Sequence, residues 1–186
     1  MGVVNNFLFQ DWNTNHHNVK GRLVMVCFRF ASFINQYFIL KVIFCWYLFI
    51  YKVVIGWFLN VEIDPRAKIG RNFKLEYGFG SVIYGSAIIG ENCTIRHLTT
   101  ISCKKFADGA TGLSPIIGNN VDIGVNASII GGITIGNDVV IGAGAVVTKD
   151  VKSYCVIGGN PAVVLKMIYK FPLDRDLIER NPIGIV

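Results

Sequence analysis

The sequence predicts an all-β fold, a triangular parallel β-helix preceded by an N-terminal α-helical segment. The first observation is a period of six residues, at which an aliphatic side chain recurs. Thirteen positions share it: Ile63, Ile69, Leu75, Ile83, Ile89, Ile95, Ile101, Ile117, Ile123, Ile129, Ile135, Ile141 and Val147. A period of six fits neither an α-helix nor a flat strand. It fits a chain that runs straight briefly, turns a corner and repeats, so that the aliphatic side chains stack into one core.

The second observation is the pattern of small residues around these positions. A small or compact residue stands two places before most of them, at Ala67, Ser81, Ala87, Cys93, Thr99, Ala127 and Ala145. Glycine often follows directly. Three sides make one coil, so thirteen positions predict a little over four coils. The competing interpretation is a β-rich domain in which Ile-Gly pairs fall in register by chance. It is disfavoured because all thirteen positions fall into only three runs of uninterrupted six-residue spacing.

Composition limits the class of protein. The 186 residues suffice for one domain with a core and an appendage, and 52% hydrophobic against 16% charged residues excludes disorder. The net charge of +6 comes from scattered Lys and Arg. We therefore expect no nucleic-acid partner, but attraction to anionic lipid or to an anionic ligand such as a nucleotide-bearing cofactor.

The five cysteines include no CxxC pair, which predicts free thiols in a reducing cytoplasm. The polar first twenty residues show no signal-peptide pattern, so we expect a cytoplasmic protein. We expect no metal, because His16 and His17 lie outside the repeats and leave His97 alone within them.

Residues 1–60 are predicted to form a polar segment to residue 21 and two apolar helical stretches at 22–35 and 38–59. The second stretch is apolar almost all round, which requires a buried or lipid environment. Lys41 and Lys52 leave only ten residues between them, too few for a transmembrane span of about twenty. Two compatible interpretations remain: a cap on the end of the β-helix and across subunits, or a peripheral anchor at the inner face of the plasma membrane.

Residues 61–168 are predicted to form the β-helix, and residues 169–186 a C-terminal tail. The repeat is interrupted twice. Between Leu75 and Ile83 the spacing is eight, an insertion of two residues at a corner. Between Ile101 and Ile117 it is sixteen, which predicts a polar, Gly-rich loop over residues 104–114. Loops that leave a rigid scaffold often carry function.

The phase of the repeat predicts one edge with titratable side chains. Leu75 and Ile95 lie on the same side in successive coils, about 4.8 Å apart. Tyr77 and His97 each follow two residues later and should share a corner, and Glu62 should lie beside the same edge. A carboxylate, a phenol and an imidazole on one rigid edge form a candidate proton-transfer site. The alternative is that His97 is a solvated corner residue or an interface hydrogen-bonding group.

The repeat resembles the left-handed β-helix of the hexapeptide-repeat acyltransferases. The resemblance rests on IGNNVDIGVNASIIGGITIGNDVVIGAGAVVTKDV and IGGNPAVV, and QDWNTNHHNVKGR resembles the start of short members. Within the family the chain is most similar to the serine acetyltransferase-like branch, which includes acetyltransferases of capsule, colanic-acid and other surface polysaccharides. The resemblance implies acetyl-CoA as the acyl donor, a homotrimer, and active sites between adjacent prisms.

The resemblance also implies roles for individual residues. At the position of the family's general-base His this chain has Tyr77, and at the position of its orienting Asp it has Glu62. A phenol is a poor proton acceptor at neutral pH. Polysaccharide-type relatives carry a second His in a TIRH stretch, which residues 94–97 match. We therefore predict that His97 is the base and that Tyr77 lines the acceptor site or hydrogen-bonds the oxyanion.

The resemblance also implies an acyl-CoA site, because relatives bind the cofactor along their C-terminal coils. The matching positions are Gly124, Ala143, Thr148, Lys149 and Lys166, each of which also has a purely structural interpretation. Val163 stands where the family often has Arg, which removes one phosphate contact.

Three functions remain at this point. The leading one is O-acetyl transfer from acetyl-CoA to a hydroxyl of a sugar or surface polysaccharide. The second is serine O-acetylation for cysteine synthesis, disfavoured by Tyr77 and by the short helical N-terminus. The third is a catalytically inactive trimeric scaffold.

Overall fold

The computed structural model describes residues 7–106 and 109–168, and the predicted C-terminal tail at 169–186 lies outside the described residues. Fifteen short strands form the prism: β1 (Val61–Ile63), β2 (Lys68–Ile69), β3 (Lys74–Leu75), β4 (Ser81–Ile83), β5 (Ile88–Ile89), β6 (Thr94–Ile95), β7 (Thr100–Ser102), β8 (Ile116–Ile117), β9 (Asp122–Ile123), β10 (Ser128–Ile130), β11 (Thr134–Ile135), β12 (Val140–Ile141), β13 (Val146–Val147), β14 (Cys155–Gly158) and β15 (Val163–Met167).

These strands form three sheets, one for each side of a triangular β-helix. The first sheet has the order β1-β4-β7-β10-β13, the second β2-β5-β8-β11, and the third β3-β6-β9-β12-β14-β15. Neighbouring strands are parallel, except that β15 folds back antiparallel on β14. From β1 to β13 every third strand returns to the same sheet, which confirms the predicted three-sided parallel β-helix.

The core consists of the aliphatic side chains of the six-residue repeat. All thirteen predicted positions are buried, and the strand register stacks them directly, as in the column Leu75, Ile95, Ile123 and Ile141. The small residues two places earlier are also buried, because they turn the corners inside the prism. Burial of a continuous aliphatic column is the main stabilising contribution of such a repeat.

The repeat continues beyond Val147, the last of the thirteen aliphatic positions. Val151 pairs with Ile135, and Ile157 pairs with Ile141, so a further partial coil is present. Val151 follows Val147 after four positions instead of six, because the intervening corner is two residues shorter. The shortened corner breaks the period of six and hides the last coil from a sequence count.

Between residue 19 and the prism the described chain forms three helices, α1 (Val19–Gln36), α2 (Phe38–Ile43) and α3 (Cys45–Tyr51), and a π-helical segment (Lys52–Phe58) follows α3. The second stretch predicted to be helical, residues 38–59, thus forms three successive helical pieces, since the helix breaks at Phe44 and widens after Tyr51. The β-branched run at residues 53–55 is unfavourable in a regular α-helix. No helix in the described ranges is long and apolar enough to cross a bilayer.

The helical segment covers the open end of the first coil, as one of the two interpretations predicted. Helix α1 buries one face, including Val24 and Phe28, and the Asn18 side chain caps its N-terminus. Side chains then satisfy the backbone of all three uppermost strands. The Tyr51 hydroxyl donates to the Ile63 carbonyl at 2.7 Å, and the Arg29 guanidinium donates to the Ile69 carbonyl at 2.5 Å.

The third strand edge is covered by the polar N-terminal segment. The Asn15 amide donates to the Phe73 carbonyl at 2.8 Å, and its oxygen accepts from the Leu75 amide at 3.0 Å. The Asp11 carboxylate accepts from the Phe73 amide at 2.9 Å. Such contacts protect an otherwise open sheet edge. The polar side chains of this segment thus form hydrogen bonds with the backbone of β3 and its flanking residues.

Candidate active site

The two-residue insertion between β3 and β4 bulges the corner between the third and first sheets. Tyr77, Gly78 and Gly80 all have positive φ, at 61°, 52° and 68°. A Cβ on Gly80 would lie 2.6 Å from the Leu98 Cδ2 atom, so only glycine fits there without a shift. The bulge thus closes against the corresponding corner of the next coil.

His97 lies on that next corner and contacts two aromatic rings of the bulge. The Phe79 ring stacks on the imidazole at a centroid distance of 5.9 Å and an interplanar angle of 7°. The Tyr77 ring meets it edge-on at 6.3 Å and 82°. Both ring orientations are among those that aromatic pairs prefer. The imidazole is therefore held between one parallel and one perpendicular ring.

The backbone around His97 is also fixed. The His97 carbonyl accepts from the Asn126 amide at 3.0 Å, and the Leu98 amide donates to the Phe79 carbonyl at 2.9 Å. The imidazole is half-buried, and its ring nitrogens have no hydrogen-bond partner within the described residues. A fixed ring with open nitrogen atoms can exchange a proton with a bound ligand.

Left-handed backbone at two non-glycine residues marks the same corner. Most of the non-glycine residues with positive φ in the described ranges are Asn or Asp, which tolerate that conformation. Tyr77 and Leu98, with φ of 61° and 60°, are two of the three exceptions, and the third, Tyr154, lies near the C-terminal end of the prism. Each costs about 1 kcal/mol. Strained backbone of this kind concentrates at functional sites, which supports this corner as the candidate site.

An ion-pair network beside this corner was missed by sequence reasoning. Arg96 contacts two carboxylates: its Nε lies 3.1 Å from Glu76 Oε2, and its Nη1 bonds Asp122 Oδ1. The hydrogen bond to Asp122 raises the pKa of Arg96 further above its usual value. Glu76 and Arg96 each directly follow an aliphatic position of the third sheet, so the repeat phase alone could have placed them together.

Glu62 lies apart from His97 and its two aromatic neighbours. It is exposed on the outer side of β1, and among the described residues it has no hydrogen bond or ion pair to Tyr77 or His97. It lines a cavity of about 550 Å³ between the helical segment and the first coil, with Trp57 and Tyr84 among the other lining residues. Within one chain, the structure therefore brings together Tyr77 and His97 but not Glu62.

The residues predicted to bind acyl-CoA fall into two groups. Ala143 follows Ile141 as His97 follows Ile95, so it lies on the same edge two coils further along, and Gly124 lies one coil before it, in register with Gly142. A Cβ on Gly124 would lie 2.6 Å from the Ala143 amide nitrogen, which explains the glycine. Both residues therefore add little side-chain bulk to that edge of the prism, and Ala143 is exposed to solvent.

The second group lies near the C-terminal end of the prism. Lys149 lines a cavity of about 340 Å³ together with Lys152 and Val163. Thr148 is exposed beside it, and Lys166 is exposed on β15. Two lysines at this cavity can attract a phosphate-bearing ligand. The described residues contain no cluster of three His, Cys, Asp or Glu side chains able to hold a metal ion.

Comparison with known proteins places this architecture in a family. Residues 114–149 match the family model "Bacterial transferase hexapeptide (six repeats)". The serine acetyltransferase of Synechococcus elongatus is 35% identical over 122 residues, 66% of this chain and 48% of the relative. The chain thus spans about half the length of that relative.

Two shorter relatives are covered more completely. WcaB of Escherichia coli K12, which is named as a colanic acid biosynthesis acetyltransferase, is 36% identical over 117 residues, 63% of this chain and 70% of WcaB. A serine acetyltransferase of Helicobacter pylori is 34% identical over 141 residues, 74% of this chain and 77% of the relative. The solved soybean serine acetyltransferase apoenzyme superposes with a TM-score of 0.76 at 28% identity, covering 89% of this chain and 70% of the soybean chain.

The chain therefore belongs to the hexapeptide-repeat transferases, in the branch that contains the serine acetyltransferases and WcaB. The Helicobacter pylori relative also corrects one argument from the sequence. Because this chain covers 77% of a protein named serine acetyltransferase, a short N-terminus does not count against serine as the acceptor.

Proposed function

We propose that this chain is an acetyl-CoA-dependent O-acetyltransferase that acts on a hydroxyl of a sugar or surface-polysaccharide precursor, with His97 as general base. The observation that carries the proposal is the imidazole held between Phe79 and Tyr77 with its nitrogens open. Acetyl transfer is supported by the names of the relatives, and a colanic acid role is named for WcaB.

The proposed reaction is a direct transfer. An imidazole nitrogen of His97 accepts the acceptor hydroxyl proton while the hydroxyl oxygen attacks the thioester carbonyl of acetyl-CoA. The tetrahedral intermediate collapses, the C–S bond breaks, and the imidazolium returns the proton to the CoA thiolate. The products are an acetate ester and free CoA. We propose that Tyr77, which is 71% exposed, lines the acceptor side or donates to the oxyanion.

The surroundings of His97 favour an uncharged acceptor. Tyr77 and Phe79 both expose ring surface beside the imidazole, and the apolar face of a sugar ring packs well on aromatic rings. A serine acceptor carries a carboxylate and an ammonium group that need charged partners. Arg96, next to His97 in the chain, is already paired with Glu76 and Asp122.

Serine is the second candidate acceptor. It is favoured by the serine acetyltransferase names among the relatives, including one of which this chain covers 77%. A partner subunit in a homotrimer can supply the charged groups that this chain lacks near His97. We propose the trimer because the family resemblance places active sites between adjacent prisms.

Release of free CoA from acetyl-CoA, measured with L-serine and with a panel of sugars and nucleotide sugars, tests the proposal. His97→Ala should lower turnover by about 10²–10⁴-fold. His16→Ala is the matched control, because His16 is an exposed histidine of the N-terminal segment. Undiminished turnover in His97→Ala refutes the base assignment. Turnover with serine alone selects the second acceptor, and no turnover with any acceptor indicates the inactive scaffold.

A further inference from the structure

The outer side of α2, α3 and the π-helical segment exposes large apolar side chains. Eight of them are between 56% and 82% exposed, and six of these define what we name the outer helical surface: Phe38, Ile39, Trp46, Phe49, Trp57 and Phe58. Helix α2 has no buried residue at all. Contiguous apolar exposure of this kind marks an interaction surface.

The orientation of this surface is fixed by contacts on its opposite side. The Tyr47 hydroxyl donates to the Cys27 carbonyl of α1 at 3.1 Å. Four residues on, Tyr51 is buried and bonds the Ile63 carbonyl of β1, and four further on, Ile55 is buried. Because these inward positions are filled, the exposed aromatic side chains cannot turn into the core without unpacking the helices.

The charge of the helical region is entirely basic. From Trp12 to Val61 the sequence contains no acidic residue, and it contains Lys20, Arg22, Arg29, Lys41 and Lys52. Lys41 and Lys52 belong to the same elements as the outer helical surface; Lys41 is half-buried, and Lys52 is exposed beside the cavity that Glu62 lines. Aromatic residues mixed with lysines are typical of helices that lie at a lipid–water interface.

We propose that the outer helical surface docks on a bilayer that contains anionic lipids, with its aromatic side chains in the interface and Lys41 and Lys52 at the headgroup phosphates. Charge complementarity favours a bilayer over a second copy of this chain. Two copies that met through this surface in a symmetric contact would bring all-basic regions together. Lysine is also depleted from protein interfaces, whereas each lysine near an anionic membrane surface contributes favourably.

The docking is peripheral, since the helices of the described residues are too short to cross a bilayer. It does not depend on the proposed transferase activity. Its consequence is that the first coil, which the helices cap, is the end of the prism nearest the lipid. An acceptor carried on a lipid would then be held at the same surface as the enzyme.

Vesicle flotation of the full chain tests this proposal. Wild-type protein should float with vesicles of phosphatidylcholine and phosphatidylglycerol and much less with phosphatidylcholine alone. Phe49→Ser/Phe58→Ser should weaken flotation about tenfold or more, and Lys41→Gln/Lys52→Gln should weaken it only for the anionic vesicles. Val164→Ser/Leu165→Ser is the control, because these residues are similarly exposed on β15 at the opposite end of the prism.

Cys45, the one cysteine of the five that is exposed, lies on α3 and gives a second readout. Its maleimide labelling should slow when anionic vesicles are added. Circular dichroism checks that each variant is folded. Wild-type protein that does not float with either vesicle type overturns the proposal. So does unchanged flotation of Phe49→Ser/Phe58→Ser, or a smaller oligomer in that variant with vesicle binding intact, which would assign the surface to a second copy.

Discussion

Replacement of Arg29 by Met tests how the helical segment is joined to the prism. The Arg29 and Asp11 side chains are 3% and 2% exposed, and Arg29 Nε lies 2.8 Å from Asp11 Oδ2. Arg29 also donates to the Ile69 and Gly70 carbonyls at the open edge of β2. Methionine has a similar length and no donor, so the change removes every one of these bonds while the apolar stem still packs.

The expected cost follows from burial. Loss of one partner of a buried ion pair leaves an uncompensated charge and costs about 3–5 kcal/mol. For a chain of this size 1 kcal/mol lowers the melting temperature by about 2–4 °C. The variant should therefore melt about 6–20 °C below wild type. Arg66→Met is the matched control, because Arg66 and Asp64 form the same kind of pair but are 63% and 28% exposed. An exposed pair contributes at most about 1 kcal/mol.

Circular dichroism during heating measures both variants under the same conditions. A double variant, Asp11→Leu/Arg29→Met, should cost less than the sum of its two single changes, because no lone charge remains buried. The reasoning is refuted if Arg29→Met and Arg66→Met lower the melting temperature equally. Equal effects would mean that the buried pair does not join the helices to the prism.

Two further stability measurements follow from the structure. Ile89→Ala should lower the free energy of unfolding by about 2–5 kcal/mol, because Ile89 is a core position of β5. Ile88→Ala, on the outer side of the same strand, should lower it by about 1 kcal/mol or less. Equal losses in urea unfolding would contradict the inward orientation of Ile89. Burial alone would raise the pKa of the Asp64 carboxyl, but hydrogen bonds from Arg66 outweigh it and hold that pKa below its usual value. A lowered pKa stabilises the fold above about pH 3.9 and this contribution is lost as the pH falls further. The stability gap between wild type and Arg66→Met should therefore narrow as the pH falls below about 3.9, and a constant gap would refute the assignment.

The prism could be predicted from the sequence because one property, the six-residue period, determines both burial and register. The residues outside the period could not be placed in the same way. Val151 and Ile157 belong to the last coil, but the short corner before Val151 shifts their phase. Asp11 and Asn15 are buried although they are polar, because their partners are backbone groups about sixty residues later in the chain.

The candidate site likewise contains residues that the repeat could place and one that it could not. Tyr77 and His97 were placed on one corner by phase, and their rings are in contact. Phe79 could not be placed, since it lies within the insertion, where the repeat assigns no direction to a side chain. Glu76 and Arg96 keep their phase, and the pair was accessible to the same reasoning that found Tyr77 and His97. The six-residue repeat therefore predicts the positions of side chains within regular coils but not within insertions.

The bulged corner introduces strained backbone into the prism and buries little side-chain surface. Tyr77 and Leu98 adopt left-handed backbone at about 1 kcal/mol each, and Phe79 remains 47% exposed. What the insertion adds is a ring parallel to the His97 imidazole and a backbone hydrogen bond from Leu98 to Phe79. Since these contacts fix the imidazole and leave its nitrogens open, the arrangement of the corner is better explained by the placement of His97 than by stability.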